Sequence, residues 1–217
     1  MASVVQNIKN HFGTLKDLSL NNQYQVNISG LSGFLSKYLE TDYGLDADWI
    51  SNNLGILCSD ATLPTSSFAT AEVKDNFQGI NQQFAHTKLY VDSDFTFYID
   101  SNYKVIRFFE GWMSYISGDN ITDISQSRFN RNYTRRFNYP QNDFYSNGYK
   151  IDSLTITKFE RSLNNSQLTY KFINAFPKSM TSIPVQYGNA DILRVTVSFA
   201  YDRYILENPR GTNKANK

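Results

Sequence analysis

The chain has 217 residues, of which 41% are hydrophobic and 19% are charged. This balance excludes a disordered chain and allows one elaborated domain, or two small ones, around a sizeable core. The 21 basic and 20 acidic side chains leave a net charge of +1. A protein that binds nucleic acid non-specifically is usually more basic, so the charge argues against that class.

The single cysteine, Cys58, rules out an internal disulfide. It favours a reducing compartment, or assembly inside a cell. Residues 1–12 lack the basic-then-apolar pattern of a secretory signal. No run reaches the ~18 apolar residues of a membrane-spanning helix. We therefore expect no membrane insertion by this chain.

The first half of the chain predicts short helices and strands. Apolar residues at helical spacing over 4–12 predict a first helix, which Gly13 would end. Residues 23–29 alternate as a strand does, with Tyr24, Val26 and Ile28 on one face. The remaining predictions are a helix over 31–39, a polar turn-rich connection over 40–53, a buried strand over 54–59 and a long polar loop over 60–86.

Residues 87–100 predict one strand, and the segment after it predicts the strongest helix of the chain. Ser101 or Asn102 would cap this helix, and Gly118 would end it. Gly111 costs about 1 kcal/mol relative to alanine inside a helix, so it indicates a close contact. The apolar stripe of the helix consists of Val105, Phe109, Trp112 and Ile116.

The last third of the chain predicts antiparallel strands. Residues 119–149 are polar and aromatic and give no clear element. Residues 149–161 and 168–176 predict a hairpin that turns at Asn164 and Asn165. Residues 191–206 alternate strictly and predict one long strand with a buried face and a wet face. The predicted fold is mainly β, with antiparallel sheets and one amphipathic helix packed beside them.

The sequence offers no persuasive catalytic, cofactor or metal site. Cys58 and His86 could form a nucleophile pair, but the apolar run around Cys58 is typical of a buried, inert thiol. Asp92, Asp94 and Asp100 could supply an acid–base pair, although solvated carboxylates are the simpler interpretation. Only two histidines are present, and neither zinc-ligand spacings nor a glycine-rich phosphate loop occurs. We predict a protein that is not an enzyme.

Arginines and aromatic rings interleave over residues 128–139. Three interpretations stay open: stacking and charge for single-stranded nucleic acid, a protein interface rich in Arg and Tyr, or a plain surface loop. The residues concerned are Arg128, Phe129, Arg131, Tyr133, Arg135, Arg136, Phe137 and Tyr139.

Several segments in order resemble the tail tube proteins of contractile-tailed bacteriophages. They are NNQYQVNISG, CSDATLPTSSFATAEV, TKLYVDSDFTFYIDSNYKVIRFFEGWMSYISG and YKFINAFPKSMTSIPVQYGNADILRVTVSFAYDRYI. The resemblance covers most of the chain, and its C-terminal module is the most specific part.

This resemblance implies two packed antiparallel sheets with a flanking helix. It also implies a hexameric ring whose sheets join across subunits into an inner barrel, and rings that stack into a tube for DNA ejection. Implied partners are further copies of the chain, the tail sheath protein, the baseplate tube initiator, and the tape measure protein and phage DNA in the lumen. The implied location is the virion tail, after assembly in the host cytoplasm.

Particular segments take expected roles under the resemblance. Ala175, Phe176 and Pro177 would end one strand and Pro184 would restrict the next, which keeps the loop between them stiff for a ring contact. Arg194, Thr196 and Ser198 would line a water-filled lumen. Residues 64–86 would form an arm that reaches the neighbouring ring and becomes ordered on assembly.

The chain departs from the compact tube pattern in two places. We expect one tail-tube-like domain over 1–217, with insertions at about 31–53 and 119–148. The insertions would decorate the outside of a tube, or would belong to the baseplate tube initiator, a relative with the same fold. A nucleic-acid-binding module that uses residues 128–139 is the alternative from another class.

Overall fold

The computed structural model describes residues 19–74, 79–118, 137–138, 140, 148–159, 167–188 and 190–207. The predicted helix over 4–12, the Asn164–Asn165 turn and nearly all of 119–147 lie outside these ranges. Within them the elements are β1 (Tyr24–Ser29), α1 (Gly33–Tyr43), α2 (Ala47–Asn53), β2 (Cys58–Ala61), β3 (Ser66–Val73), β4 (Gln82–Tyr90), β5 (Ser93–Tyr98), α3 (Lys104–Ser117), β6 (Ser153–Phe159), β7 (Gln167–Ile173), β8 (Phe176–Met180), β9 (Arg194–Ala200) and β10 (Arg203–Glu207).

The strands form two four-stranded sheets and a separate hairpin. Sheet A has the order β1-β6-β7-β10, and sheet B has the order β2-β5-β9-β8. Among the described residues, strands β3 and β4 pair with each other and with no other strand. Every pairing is antiparallel. The predicted mainly β fold with antiparallel sheets is therefore confirmed.

An aromatic core joins the two sheets and α3. Phe95 of sheet B meets Phe172 of sheet A with ring centroids 5.9 Å apart, and Phe109 of α3 lies 5.0 Å from Phe97. Trp112 is fully buried, and its indole N–H donates to the carbonyl of Tyr149 at 2.9 Å. Edge-to-face ring pairs add stabilisation beyond the area they bury. The alternating apolar residues of the strands thus point into one shared core.

Helix α3 confirms most of its prediction. Gly118 ends it with φ +71°, a conformation that favours glycine, and Gly111 faces α1 so closely that a β-carbon there would lie 2.7 Å from Leu39 Cδ2. The predicted cap was wrong. The backbone N–H of Lys104 is satisfied by the side chain of Asp100 at 2.8 Å, rather than by Ser101 or Asn102.

The prediction of a turn-rich connection over 40–53 was also wrong. Helix α1 runs on to Tyr43 and ends at Gly44, whose φ is +65°. Asp46 then accepts a hydrogen bond from the N–H of Asp48 and starts α2. Residues 54–57 form a turn rather than a strand. Polar side chains on the exposed faces of two short helices hid the buried position Ile50.

The prediction of a loop over 60–86 was wrong for much of its described part. Residues 66–73 and 82–86 lie in β3 and β4, whose strands pair from Ser66↔Tyr90 to Val73↔Gln82. The expected single strand over 87–100 is divided at Val91 and Asp92 between this hairpin and sheet B. Polar side chains on both faces of the hairpin removed the alternation by which half-buried strands are recognised.

The expected long C-terminal strand is divided as well. It bends at Tyr201 and Asp202, so that β9 lies in sheet B and β10 in sheet A. The chain from β7 to β8 bends beside it, at Asn174, whose φ is +57°. Residues 175–177 accordingly begin an edge strand, whereas the sequence predicted that they end one. Together the two bent segments make a hairpin that joins the sheets at one corner.

Candidate assembly surfaces

The residues considered for chemistry have structural roles. Cys58 is buried in sheet B, and burial raises the pKa of its thiol to about 12, so the thiol stays protonated. His86 lies on exposed β4, where its Nδ1 is 2.8 Å from Thr87 Oγ1. Asp92 pairs with Lys178 at 2.6 Å, and Asp100 caps α3. The described residues contain no group of three or more His, Cys, Asp or Glu that could hold a metal ion.

The hairpin Ser66–Tyr90, which we call the arm, is the most exposed element described. All of β4 except half-buried Tyr90 is exposed, and β3 is exposed except at half-buried Ser66 and Ala69. Phe68 is 61% exposed and Phe84 54%. An isolated two-stranded hairpin is marginally stable in water and gains stability by packing on another surface. The arm therefore carries apolar side chains that the described part of the chain leaves uncovered.

One face of the arm is mostly small or apolar. The register pairs Ala71 with Phe84, Val73 with Gln82 and Ser67 with Leu89, and paired residues of an antiparallel hairpin share a face. The other face carries Glu72, Thr70 and Lys88, and the exposed ring of Phe68 also lies there, opposite Lys88. A register shift between Ala69 and Thr70 places a bulge halfway along the arm. This face fits a protein partner better than it fits water.

The chain itself covers the β1 side of sheet A. Gly55, in the turn between α2 and β2, approaches the backbone of β1 so closely that a β-carbon would lie 2.0 Å from the carbonyl oxygen of Val26. Only glycine fits such an approach. Beside it, the hydroxyl of Tyr24 donates to the carbonyl of Cys58 at 3.1 Å. Strands β1 and β2 thus meet along this side.

The two other edge strands present their outer sides differently. In the part of the chain that the structure describes, no strand pairs with the outer side of β8 or of β10. On β10, Ile205 and Leu206 are both exposed although they point to opposite faces. An unpaired edge presents N–H and C=O groups that can pair with another chain. Strands β8 and β10 are candidates for such pairing.

The segment between β8 and β9 is exposed and apolar at its centre. Val185 and Ile192 are exposed, and Tyr187 is completely so. Its first residue is fixed, since Thr181 N–H donates to the carbonyl of Thr196 at 2.9 Å. These residues line an open groove together with half-buried Ile183. Whether the segment is as stiff as Pro184 suggested stays a prediction.

The outward face of β9 is polar, as the alternation predicted. Thr196 Oγ1 lies 2.9 Å from Thr96 Oγ1 of β5, and the Arg194 guanidinium stacks 5.1 Å from the Tyr98 ring. Val195, Val197 and Phe199 point the other way into the core. Among the described residues, no helix is both long and apolar enough to cross a membrane.

The arginine–aromatic patch falls almost wholly outside the described residues. Of its members, only Phe137 lies within them, and it is exposed. Its three interpretations remain predictions.

The sequence analysis did not predict that the arm is a hairpin, and it did not predict the corner where the two sheets join. The signal that could have found the arm was the pair of runs 66–73 and 82–90, whereas Asp202 fits the polar side of the alternation and gave no signal for the corner.

A family model described as phage tail tube protein matches residues 19–207, which include every strand and helix above. The chain belongs to the phage tail tube protein family. The family is a structural class and not an enzymatic one, as the sequence predicted. A search of curated proteins finds no match.

Solved structures of tail-like particles share the fold. One chain, from the PVC sheath-tube complex of an extracellular contractile injection system in the extended state, is 12% identical, with a TM-score of 0.50 over 88% of this chain and 92% of that chain. A chain from the tube-terminating cap of the anti-feeding prophage is 11% identical, with a TM-score of 0.51 over 88% and 91%. At this identity the likeness concerns the fold alone.

Proposed function

We propose that this tail tube protein forms hexameric rings that stack into the inner tube of a contractile phage tail and conduct DNA during ejection. The observation that carries the proposal is the arm, a long hairpin with an uncovered apolar face in a family of tube subunits. The tube would be assembled in the host cytoplasm and located in the virion. Its partners would be the sheath protein, the baseplate initiator and, in the lumen, the tape measure protein and DNA.

The arm supports stacking between rings. A head-to-tail contact joins two different surfaces and continues as an open filament. The arm is one such surface, because Phe84, Val73 and Leu89 need a cover that the described part of their own protomer does not supply. The apolar groove near Val185 and Tyr187 is a surface of matching character on a second copy.

Two unlike edges support closure of a ring. Strands β8 and β10 belong to different sheets and have unpaired outer sides within the described residues. If β10 of one copy pairs with β8 of the next, each contact is heterologous, and six such contacts close a ring that leaves neither of these two edges exposed. The polar face with Arg194, Thr196 and Ser198 then supplies a hydrophilic surface suited to a water-filled lumen.

The experiment compares rod formation by three proteins in negative-stain micrographs and by sedimentation. In the first variant an Asn-Gly turn replaces residues 67–89, which joins the directly paired residues Ser66 and Tyr90. In the second, Phe84→Asp places a charge on the apolar face of the arm. We expect hollow rods from the unaltered protein and soluble, folded subunits without rods from both variants.

A matched control is Phe34→Asp on α1. Phe34 is 58% exposed and Phe84 54%, so both substitutions exchange a similarly exposed ring for a carboxylate. Rods from Phe34→Asp together with none from Phe84→Asp assign the effect to the arm. Normal rods from the arm-deleted protein would contradict the stacking role.

The tube initiator remains the alternative within the same fold. Chains from a sheath-tube complex and from a terminating cap resemble this protein equally well, so the fold does not separate the positions along a tail. Copy number separates them, because a tube subunit fills many rings and an initiator fills one. Quantitative mass spectrometry of purified tails measures it.

A further inference from the structure

Four tyrosines gather where the arm leaves the body of the protein. Tyr90 is the last residue of the arm, and its ring centroid lies 5.6 Å from that of Tyr204 and 6.3 Å from that of Tyr201, both in tilted or edge-on contact. Tyr204 also meets Tyr170 of β7 at 5.7 Å. We call Tyr90, Tyr170, Tyr201 and Tyr204 the tyrosine cluster.

Hydrogen bonds from this cluster hold both strands of the arm. The Tyr204 hydroxyl lies 3.2 Å from Ser66 Oγ, at the first residue of β3. The Tyr201 hydroxyl donates to the carbonyl of Val91 at 2.6 Å, one residue beyond the end of β4. Burial raises the pKa of Tyr201, which keeps the phenol neutral and able to donate. The chain is therefore fixed at the first residue of β3 and just after the last residue of β4, and two such points define a direction for the arm.

Two charged contacts lie beside the cluster. The Lys88 ammonium sits 5.3 Å from the Tyr90 ring and 5.6 Å from the Tyr204 ring, which is cation–π distance from both. Asp92, just after the arm, pairs with Lys178 of β8 at 2.6 Å. Together these contacts connect the base of the arm to both candidate ring edges, β8 and β10.

On the side away from the arm, the tyrosine cluster packs against the corner where the two sheets join. Tyr201 directly precedes Asp202, whose carboxylate accepts hydrogen bonds from Asn174 at 2.6 Å and from Lys150 at 3.1 Å. The Tyr201 ring also packs edge-on against Phe172 of the core at 4.8 Å. The arm thus takes its direction from the part of the fold where both sheets are joined.

We propose that the tyrosine cluster, through the hydroxyls of Tyr201 and Tyr204, sets the angle of the arm so that it meets the next ring in one orientation. This inference rests on the proposed stacking role of the arm. The eight residues of β3 span about 25 Å at ~3.3 Å per residue. A tilt of roughly 10° at the base therefore moves the tip by roughly 4 Å, close to the spacing of ~4.8 Å between paired strands. An arm without a fixed base would miss its register.

The test measures the direction of the arm in dilute, unassembled protein. Spin labels are placed on Gln83→Cys near the tip of the arm and on Lys37→Cys on the exposed side of α1. Cys58 stays unlabelled, because its thiol is buried and has a pKa of about 12. The width of the distance distribution between the labels is compared for the parent protein and for Tyr201→Phe with Tyr204→Phe, a pair that removes both hydroxyls and keeps both rings.

Tyr24→Phe is the matched control. It removes another tyrosine hydroxyl that donates to a carbonyl, that of Cys58, on the side of the fold where β1 meets β2. We expect the double variant to widen the distribution at least roughly twofold, as loss of both fixed points predicts. Tyr24→Phe should leave the width unchanged. Ser66→Ala and Tyr204→Phe should not be additive, since they remove the same hydrogen bond.

Assembly is then measured with the same proteins. The double variant should raise the protein concentration needed for rods by about tenfold, while Tyr24→Phe should assemble normally. An unchanged width in the double variant, or equal widening by Tyr24→Phe, overturns the positioning role even if all proteins form rods. Failure of the parent protein to form rods overturns the proposed function, and with it the part of this inference that concerns the next ring.

Discussion

Gly111 shows how a single missing side chain permits the contact of two helices. It is fully buried in the middle of α3, against Leu39 and Tyr43 of α1. A β-carbon would lie 2.7 Å from Leu39 Cδ2 and 3.0 Å from the Tyr43 ring. Leu39 is itself completely buried and has little room to move. The helix accepts a residue of poor propensity because the packing requires it.

We predict that Gly111→Ala lowers the free energy of unfolding by about 1 kcal/mol. Overpacking costs ~1–3 kcal/mol, and the better helix propensity of alanine returns about 1 kcal/mol. Gly33→Ala, in the first turn of α1, is the control, because nothing lies within 4 Å of a β-carbon there. Urea titration of both variants decides the matter. If the Gly111→Ala protein were as stable as the Gly33→Ala protein, α1 would have to shift away from the added methyl group at little cost, and the prediction would be wrong.

The sequence predicted some of these residues and not others. A glycine inside an apolar helical stripe indicates a close approach of another element, so the close contact at Gly111 could be predicted from the sequence. The hydrogen bond that Asp100 accepts from α3 could not, because Asp100, Ser101 and Asn102 are three adjacent polar candidates, and the positive φ of Tyr103 between them and the helix has no mark in the sequence. Backbone conformation of that kind is imposed by the surrounding fold.

Among the elements, the corner of the sheets depends on one carboxylate. Partial burial alone would raise the pKa of Asp202, but hydrogen bonds from Asn174 and Lys150 and the positive charge of Lys150 together hold it below its ordinary value. The backbone N–H of Asn174 donates in turn to Asp152 at 3.1 Å. Both bent segments are thus joined through side chains at the point where they change sheets.

We predict that this corner makes stability fall in acid. Because the pKa of Asp202 is lower in the folded protein than in the unfolded chain, the folded protein binds fewer protons. The stabilisation is present above the ordinary value of 3.8 and is lost as the pH falls through the depressed pKa. Asp202→Asn should therefore flatten the decline of unfolding free energy below about pH 4 in chemical denaturation.

Lys150→Met tests the cause of that pH dependence. It removes the ion pair and leaves the Asp202 carboxylate in place, so it should flatten the same part of the profile. An unaltered acid slope in both variants would mean that other carboxylates control stability at low pH. The sequence could not reveal this corner, because the strict alternation of polar and apolar residues continues through Tyr201. Only the tertiary fold divides residues 191–206 between the two sheets.

For the whole molecule, the two classes of function differ in their response to salt. Contacts through paired strands and apolar faces such as that of the arm change little with ionic strength. Binding through several phosphates loses orders of magnitude in affinity over the same range. The near-neutral net charge of +1 agrees with the first class.

We predict that the yield of sedimented rods changes less than about threefold between about 50 mM and about 500 mM salt. Fluorescently labelled single-stranded DNA serves as the comparison, measured against the same protein at both salt concentrations. Salt-sensitive DNA binding without rods would instead favour the arginine–aromatic segment 128–139 as the functional surface.

Composition and periodicity were sufficient for the class of the fold, its principal helix and some of its buried positions, such as Val26, Ile28, Phe109 and Trp112. They were insufficient for the arm, since a hairpin exposed on both faces has the composition of a loop. The resemblance to tube proteins predicted that this segment acts as an arm. The structure adds that the arm is an antiparallel hairpin, in which residues 66–73 pair with residues 82–90.

The close approach of Gly55 to β1 has a consequence for the growth of any polymer. That turn covers part of the outer side of β1, whereas in the described residues no strand pairs with the outer side of β8 or of β10. A side chain at position 55 would push the turn away and bare the row of peptide groups along β1. If the protein forms the proposed tube, subunits with a further exposed edge could pair sideways and branch, so an unbranched rod would depend in part on the glycine at position 55.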